Sequence, residues 1–303
     1  MTSAESFPSP RHARWQAVSL AGRVWRVLLA EVTSYSLTLA LELRTPASST
    51  DPQDGLRFGI LRLRRDGGVD AAGGLTAQWL PLVAPSGVDE RWLGLQAVAA
   101  DCVLLHGYQD PKRPNHLGLW AYALVDGQLR WGQPALSYFR AAGPGELWCT
   151  DTRPLHRPCV RVSLRSGEVL GPVPDSELQT PPQVLAASPA IELPHRIASD
   201  DPAHAAWAAQ IRQATGHAPL HELHLLPLPQ AVVVVYHTAD AGPLARLSQW
   251  LLHWPLAGPP HTPIALATGQ THLGYDSLWH CAGWTLALGT AGLWALPPAV
   301  AGI

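Results

Sequence analysis

Lysine is nearly missing from this chain. Among 303 residues there is one, Lys112, against 20 arginines. Asparagine occurs once, at Asn115, methionine once and phenylalanine three times. Such scarcity fits GC-rich, bacterial coding better than selection for arginine chemistry. Neither acidic nor basic residues are in large excess: the formal net charge is −2, so no electrostatic reason favours nucleic acid or an anionic membrane as partner. No run approaches the ~20 apolar residues of a membrane span. Arg23 and Arg26 interrupt the only early stretch that resembles a secretory leader, so none is expected. The four cysteines, at 102, 149, 159 and 281, include no C-x-x-C pair, and a cytoplasmic protein with reduced thiols is expected. There is no G-x-S-x-G elbow, phosphate loop, dinucleotide fingerprint or kinase motif set, so no cofactor and no catalytic residue is assigned.

What the chain has in abundance is short strands and turn residues. "SYSLTLALELR" (34–44) alternates Tyr35, Leu37, Leu39, Leu41 and Leu43 with Ser36, Thr38, Ala40 and Glu42, the pattern of a half-buried strand. Strand-like runs recur as "VWRVLLA", "FGILRL", "CVLLH", "GLWAYALV", "CVRVSL", "AVVVVYH", "ARLSQWLL" and "WTLALGT". Twenty-nine prolines and 26 glycines punctuate them, which suits strands and turns better than helices. About nineteen strands are expected. One segment differs. In "DDPAHAAWAAQIRQATG" (200–216), Asp201 is placed to cap a helix, Pro202 to start it and Gly216 to end it. Ala203, Trp207, Ile211 and Ala214 give that helix, spanning about 201–215, an apolar face. Residues 172–219 read as an excursion from a single β domain covering 1–303. Residues 1–12 read as a loose tail and 45–56 as a long exposed loop.

Three segments align without gaps: "AYALVDGQLRW" (121–131), "RVSLRSGEVLG" (161–171) and "PIALATGQTHL" (263–273). Each runs into a two-residue turn ending in Gly127, Gly167 or Gly269, with Leu124, Leu164 or Leu266 three residues earlier. Glycine supplies the positive φ that such hairpin turns need. The first two copies lie 40 residues apart, the size of a four-stranded propeller blade. These segments resemble the repeat of quinoprotein-type (PQQ-like) β-propellers. The family's strand Asp is replaced here by Ala123, Ser163 and Ala265, and its Trp stands only at Trp131. Those departures bear on the family's inter-blade tryptophan docking, and they give no support for a bound quinone. The order of features also resembles an uncharacterised bacterial family of this propeller type. It shares an early Trp-containing strand, a Pro-rich polar loop before a Gly-aromatic-Ala strand, and an ending like "YDSLWHCAGWTLALGTAGLWAL". The resemblance implies an all-β, irregular propeller of about five four-stranded blades; a pair of β-sandwiches is the alternative.

"HGYQDPKRPNH" (106–116) is the richest polar stretch. Pro111 and Pro114 do not fit a central strand, so a turn lies between the flanking runs. If those runs pair, His106 and His116 meet at the loop base, crowned by Tyr108, Asp110, Lys112 and Arg113. This is the candidate ligand site, against the plainer reading of a solvated hairpin loop. "CTDTRPLHRPC" (149–159) offers Cys149, Asp151, His156 and Cys159 as zinc ligands, but Arg153 and Arg157 oppose a cation and two unpaired thiols flanking a turn fit better. "GHAPLHELHLL" holds His217, His221, Glu222 and His224, yet on a strand His221 and His224 face opposite ways, so no metal is assigned. Trp120, Trp131, Trp148, Trp250 and Trp284 fall in strand-like runs and are expected in the core. The functional expectation is a non-enzymatic binding or scaffold protein with a protein or small-molecule partner; a hydrolase or lyase using the 106–116 loop is the alternative.

Overall fold

The computed structural model describes residues 15–45, 55–65, 74–110, 113–143, 145–179, 190–240, 246–270, 277–290 and 292–298, without the side chains of 109, 110, 113 and 114. The fold is all-β, in five antiparallel sheets, none closed into a barrel. Strand β1 (Gln16–Ser19) comes first but belongs to the last sheet. Sheet one is β2 (Arg23–Val32), β3 (Ser36–Thr45), β4 (Gly55–Arg65) and β5 (Leu75–Leu82), paired in that order. Sheet two follows with β6 (Leu93–Ala99), β7 (Cys102–Asp110), β8 (Arg113–Ala123) and β9 (Leu129–Gln133). Sheet three is β10 (Leu136–Gly143), β11 (Glu146–Asp151), β12 (Cys159–Ser163) and β13 (Val169–Pro172).

A short helix, α1 (Asp175–Leu178), and two short strands, β14 (Ile191–Glu192) and β15 (His195–Ile197), then lead into helix α2 (Pro202–Thr215). Sheet four is β15 with β16 (Leu220–Leu228), β17 (Ala231–Ala239), β18 (Leu247–Pro255) and β19 (Ile264–Gln270). Sheet five gathers β20 (Leu278–Cys281), β21 (Trp284–Gly289) and β22 (Gly292–Leu296), flanked by β14 and β1. The first strand thus completes the sheet made by the last three, with Gln16 opposite Ala295 and Ser19 opposite Gly292. No helix among the described residues is long and apolar enough to cross a membrane.

Buried clusters join these sheets face to face. Leu37, Leu39, Leu41 and Leu43 of sheet one pack with Trp279, Trp284 and Leu293 of sheet five. The opposite face of sheet one, through Ala40, Phe58 and Ile60, meets Leu95, Leu105 and Trp120 of sheet two. Sheet two meets sheet three through Leu104, Leu119, Trp131, Leu147 and Val162. Sheet four meets sheet five through Val233, Val235, Leu251, Leu278 and Ala287. None of the five clusters among the described residues joins sheet three to sheet four. The far face of sheet four instead takes Ile211 and Trp207 of α2 against Leu223, Val234 and Tyr236.

This packing corrects the half-buried reading of 34–44. Strand β3 is buried on both faces, because sheets two and five sandwich sheet one; Thr38 and Glu42 are buried like the leucines. Alternation of side chains reveals two faces but not what lies beyond each. Helix α2 forms as its end signals require. Asp201 accepts a hydrogen bond from the Ala203 amide at 2.8 Å, and Gly216 closes the helix at φ +76°. Within the 172–219 excursion, β14 and β15 are edge strands of sheets five and four, too short to show a period. The tail 1–12 and most of the 45–56 loop lie outside the described residues.

The first two repeat copies are the β8–β9 and β12–β13 hairpins, and their turns match closely. Gly127 and Gly167 both stand at φ +72°. Their amides donate to Ala123 and Ser163 carbonyls at 2.9 and 2.8 Å. Each repeat leucine carbonyl is held by the preceding sheet: Leu124 accepts from Arg62, and Leu164 from the Trp131 indole at 2.7 Å. The Trp131 ring lies so close over Gly167 that a Cβ there would stand 2.6 Å from it, so one tryptophan docking between sheets is real. The third copy departs from expectation. Thr268 and Gly269 lie inside edge strand β19 among register shifts, not in a hairpin turn. Leu266 accepts instead from Thr290 of sheet five at 2.9 Å. Four of the five tryptophans expected in the core are buried there; Trp250 is half-buried, with its indole donating to Thr238 at 2.9 Å.

Candidate functional site

The hairpin β7–β8 builds the candidate site. His106 and Tyr108, two residues apart, share one face of β7, and Tyr108 stands opposite His116 of β8. Register shifts on either side of Tyr108 crowd these rings together. His106 and His116 stack with centroids 3.7 Å apart, 15° from parallel. Tyr108 meets both edge-on, at 4.7 and 5.4 Å. Opposite His106 across the ladder is Gly94, and a Cβ there would lie 2.6 Å from the His106 ring. Glycine is needed at 94 to make room for the imidazole.

Sheet one supplies the charges. Arg26 of β2 donates to the Leu95 carbonyl, and Glu42 of β3 accepts from the Leu95 amide at 3.3 Å. Glu42 also pairs with Arg44 at 3.1 Å, whose guanidinium lies 3.9 Å over the exposed Trp25 ring. His106 is only 1% exposed, and neither ring nitrogen has a hydrogen-bond partner among the described residues. Burial, then the neighbouring His116 and Arg26 charges, push its pKa down to about 3. His116 is lowered in the same way, by burial and by Arg26.

Of the six residues singled out by sequence, the fold brings His106, Tyr108 and His116 together. Asp110 and Arg113 face each other in the backbone register, with side chains outside the described residues, as is all of Lys112. Arg26, Glu42 and Gly94 were missed. The one signal was Arg26 breaking an apolar strand, which served only to argue against a leader.

The other candidates disperse or pair off. Cys149 is buried against sheet two, while Cys159 lies on the other side of sheet three. Asp151 is held by Arg153 at 2.6 Å, and His156 is exposed. All four cysteines are free, and no group of three metal-ligating side chains occurs among the described residues. In β16 a bulge follows Leu220, with His221 at φ +60°, and it places Glu222 and His224 together in the interior. Glu222 accepts from the His224 ring at 3.1 Å and pairs with Arg196. Burial alone would raise the Glu222 pKa, but those two partners outweigh it and hold the carboxyl low. Nearby His237 is pushed down to about 4, chiefly by burial.

The chemistry of the His106 site is that of neutral hydrogen bonding. A neutral imidazole offers one donor and one acceptor nitrogen. A ring whose conjugate acid has a pKa near 3 is a weak general base at neutral pH, and no described carboxylate hydrogen-bonds to it.

Comparison with known proteins adds little. No family model matches the chain, and no curated protein matches it. Among solved structures, the crystal structure of a "putative glycosidase" from Bacteroides thetaiotaomicron aligns over 93% of this chain and 89% of its own, at 8% identity and a TM-score of 0.29. A likeness at that level carries no argument about fold or chemistry.

Proposed function

We propose that the chain is a single-domain, irregular five-bladed β-propeller with quinoprotein-like blades. In this reading it is a non-enzymatic binding or scaffold protein in the cytoplasm. Each sheet is one blade, and α2 is an insertion beside the fourth. Two features support the architecture: clusters linking sheets three, two, one, five and four in series, and a first strand that completes the last sheet.

The observation that carries the binding reading is His106. It is a buried, neutral imidazole with both nitrogens unpartnered, beneath a half-exposed tyrosine and a second histidine. Unmet buried polar groups cost stability, of order 1–3 kcal/mol each, and persist where a partner is to be received. A protein or small molecule that seats on Tyr108 and His116 and displaces the stacked His116 ring to reach His106 fits this better than hydrolase or lyase chemistry, which needs a stronger base.

The test compares the wild type with two variants. Combining Tyr108→Ala with His116→Ala abolishes capture of whatever ligand the wild type binds from a metabolite and peptide array. No hydrolase or lyase turnover depends on His106. Turnover of a defined substrate that vanishes in His106→Gln, with circular dichroism unchanged, overturns the reading.

A further inference from the structure

The loop 149–159 has a role that the His106 site does not use. Where it meets the start of α1, it opens a groove of about 420 Å³ on the face of sheet three turned away from sheet two. That volume falls within the range of small-molecule sites, about 300–1,000 Å³. Phe139, Val173 and Leu178 give it an apolar wall, and Phe139 is 50% exposed. Its charges are unusual for this sheet. Arg153 is neutralised by Asp151, and Arg161 by Glu177. Arg157 and Asp175, both lining the groove, pair with nothing among the described residues, including each other.

Arg157 is also held in place. It sits at φ +46°, a conformation disfavoured for arginine, between Pro154 and Pro158, with its amide donating to the Pro154 carbonyl at 3.1 Å. A strained backbone flanked by two prolines fixes where its side chain leaves the loop. The groove therefore presents one cation on a constrained backbone, one anion and an apolar surface.

We propose that this groove binds a free α-amino acid with an apolar side chain, its carboxylate on Arg157, its ammonium on Asp175 and its side chain against Phe139, Val173 and Leu178. A carboxylate or an amine alone satisfies only one of the two charges.

Cys159 reports on the groove directly. It lines the wall, whereas Cys102, Cys149 and Cys281 are buried. The experiment follows alkylation of the native protein by iodoacetamide with L-phenylalanine, 3-phenylpropionate or 2-phenylethylamine present. L-phenylalanine slows alkylation of Cys159, and each half-molecule protects about tenfold more weakly, the loss of one charge-assisted hydrogen bond. Arg157→Ala and Asp175→Asn, both at exposed positions, each weaken protection by L-phenylalanine by about tenfold. Asp175→Asn makes L-phenylalanine no better than 3-phenylpropionate. Absence of protection by millimolar L-phenylalanine, equal protection by either half-molecule, or protection unchanged in both variants overturns the proposal.

Discussion

Two junctions between sheets bury histidine, and they do so in opposite ways. Between sheets four and five, His224 donates to Glu222, and Arg196 completes the carboxylate. On the face of sheet two that carries Leu104 and Leu119 and turns toward sheet three, His106 is just as deeply covered, yet among the described residues it has no hydrogen-bond partner and only a stacked histidine, a tyrosine edge and a nearby arginine. The first arrangement ties β15 to β16 within sheet four. The second leaves polar capacity unspent in the interior, which packing alone does not explain. Burial by itself therefore does not separate a structural imidazole from a functional one; partnering does.

The sharpest way to break this contrast is to remove the partner at the first junction. Glu222→Ala strips the carboxylate from His224 and Arg196, and we expect it to destabilise the fold by about 2–3 kcal/mol in urea unfolding, since Arg196 is left exposed to water. A loss below about 1 kcal/mol would mean that this pair is no more structural than a surface ion pair.

Acidification separates the junctions next. The His106 pKa is depressed in the folded state, so the unfolded chain binds a proton there first as pH falls below the ordinary histidine value of 6.5. Its contribution to stability therefore declines on acidification and levels off near pH 3. Between pH 7 and 5 that decline is about 2 kcal/mol. His106→Gln removes that component, so its stability falls with acid by correspondingly less. Parallel pH profiles for the two proteins would show that His106 is not held neutral. At the other junction the sign reverses in origin though not in direction. The lowered Glu222 carboxyl stabilises the fold above its unfolded value of 4.5, and that contribution is lost as pH falls through the lower, folded one.

The smallest effect is the most diagnostic. His106→Leu replaces two unpartnered nitrogens with apolar atoms of similar bulk, and it raises stability by about 1 kcal/mol while abolishing ligand capture. The same change at His224 lowers stability, because it takes away one of the two partners of a buried carboxylate. Destabilisation by both substitutions would erase the distinction between the junctions.

Much of the fold was legible in local pattern. The β8–β9 and β12–β13 turns were marked by Gly127 and Gly167, whose positive φ is a property of the turn itself. Asp201, Pro202 and Gly216 bounded α2 for the same reason. Hairpin pairing also made the meeting of His106 and His116 readable, since two strands joined by a short turn must come back alongside each other. The third repeat copy misled because Leu and Gly at the right spacing serve a bulged edge strand as well as a hairpin. Arg26, Glu42 and Gly94 were not legible as site residues. They reach the site from another sheet or from the neighbouring strand, through contacts up to 69 residues apart in sequence.

The sequence by itself determined the strands, the hairpin turns, the capped helix and the polar hairpin at 106–116. Each depends on backbone preferences and side-chain periods that act over a few residues. The tertiary structure alone decided that β3 is covered on both faces, that Glu222 and His224 become partners, and that His106 is sealed beside Arg26 with neither nitrogen met among the described residues. Those outcomes rest on desolvation and on which sheet packs against which, and both are set by residues far away in the chain.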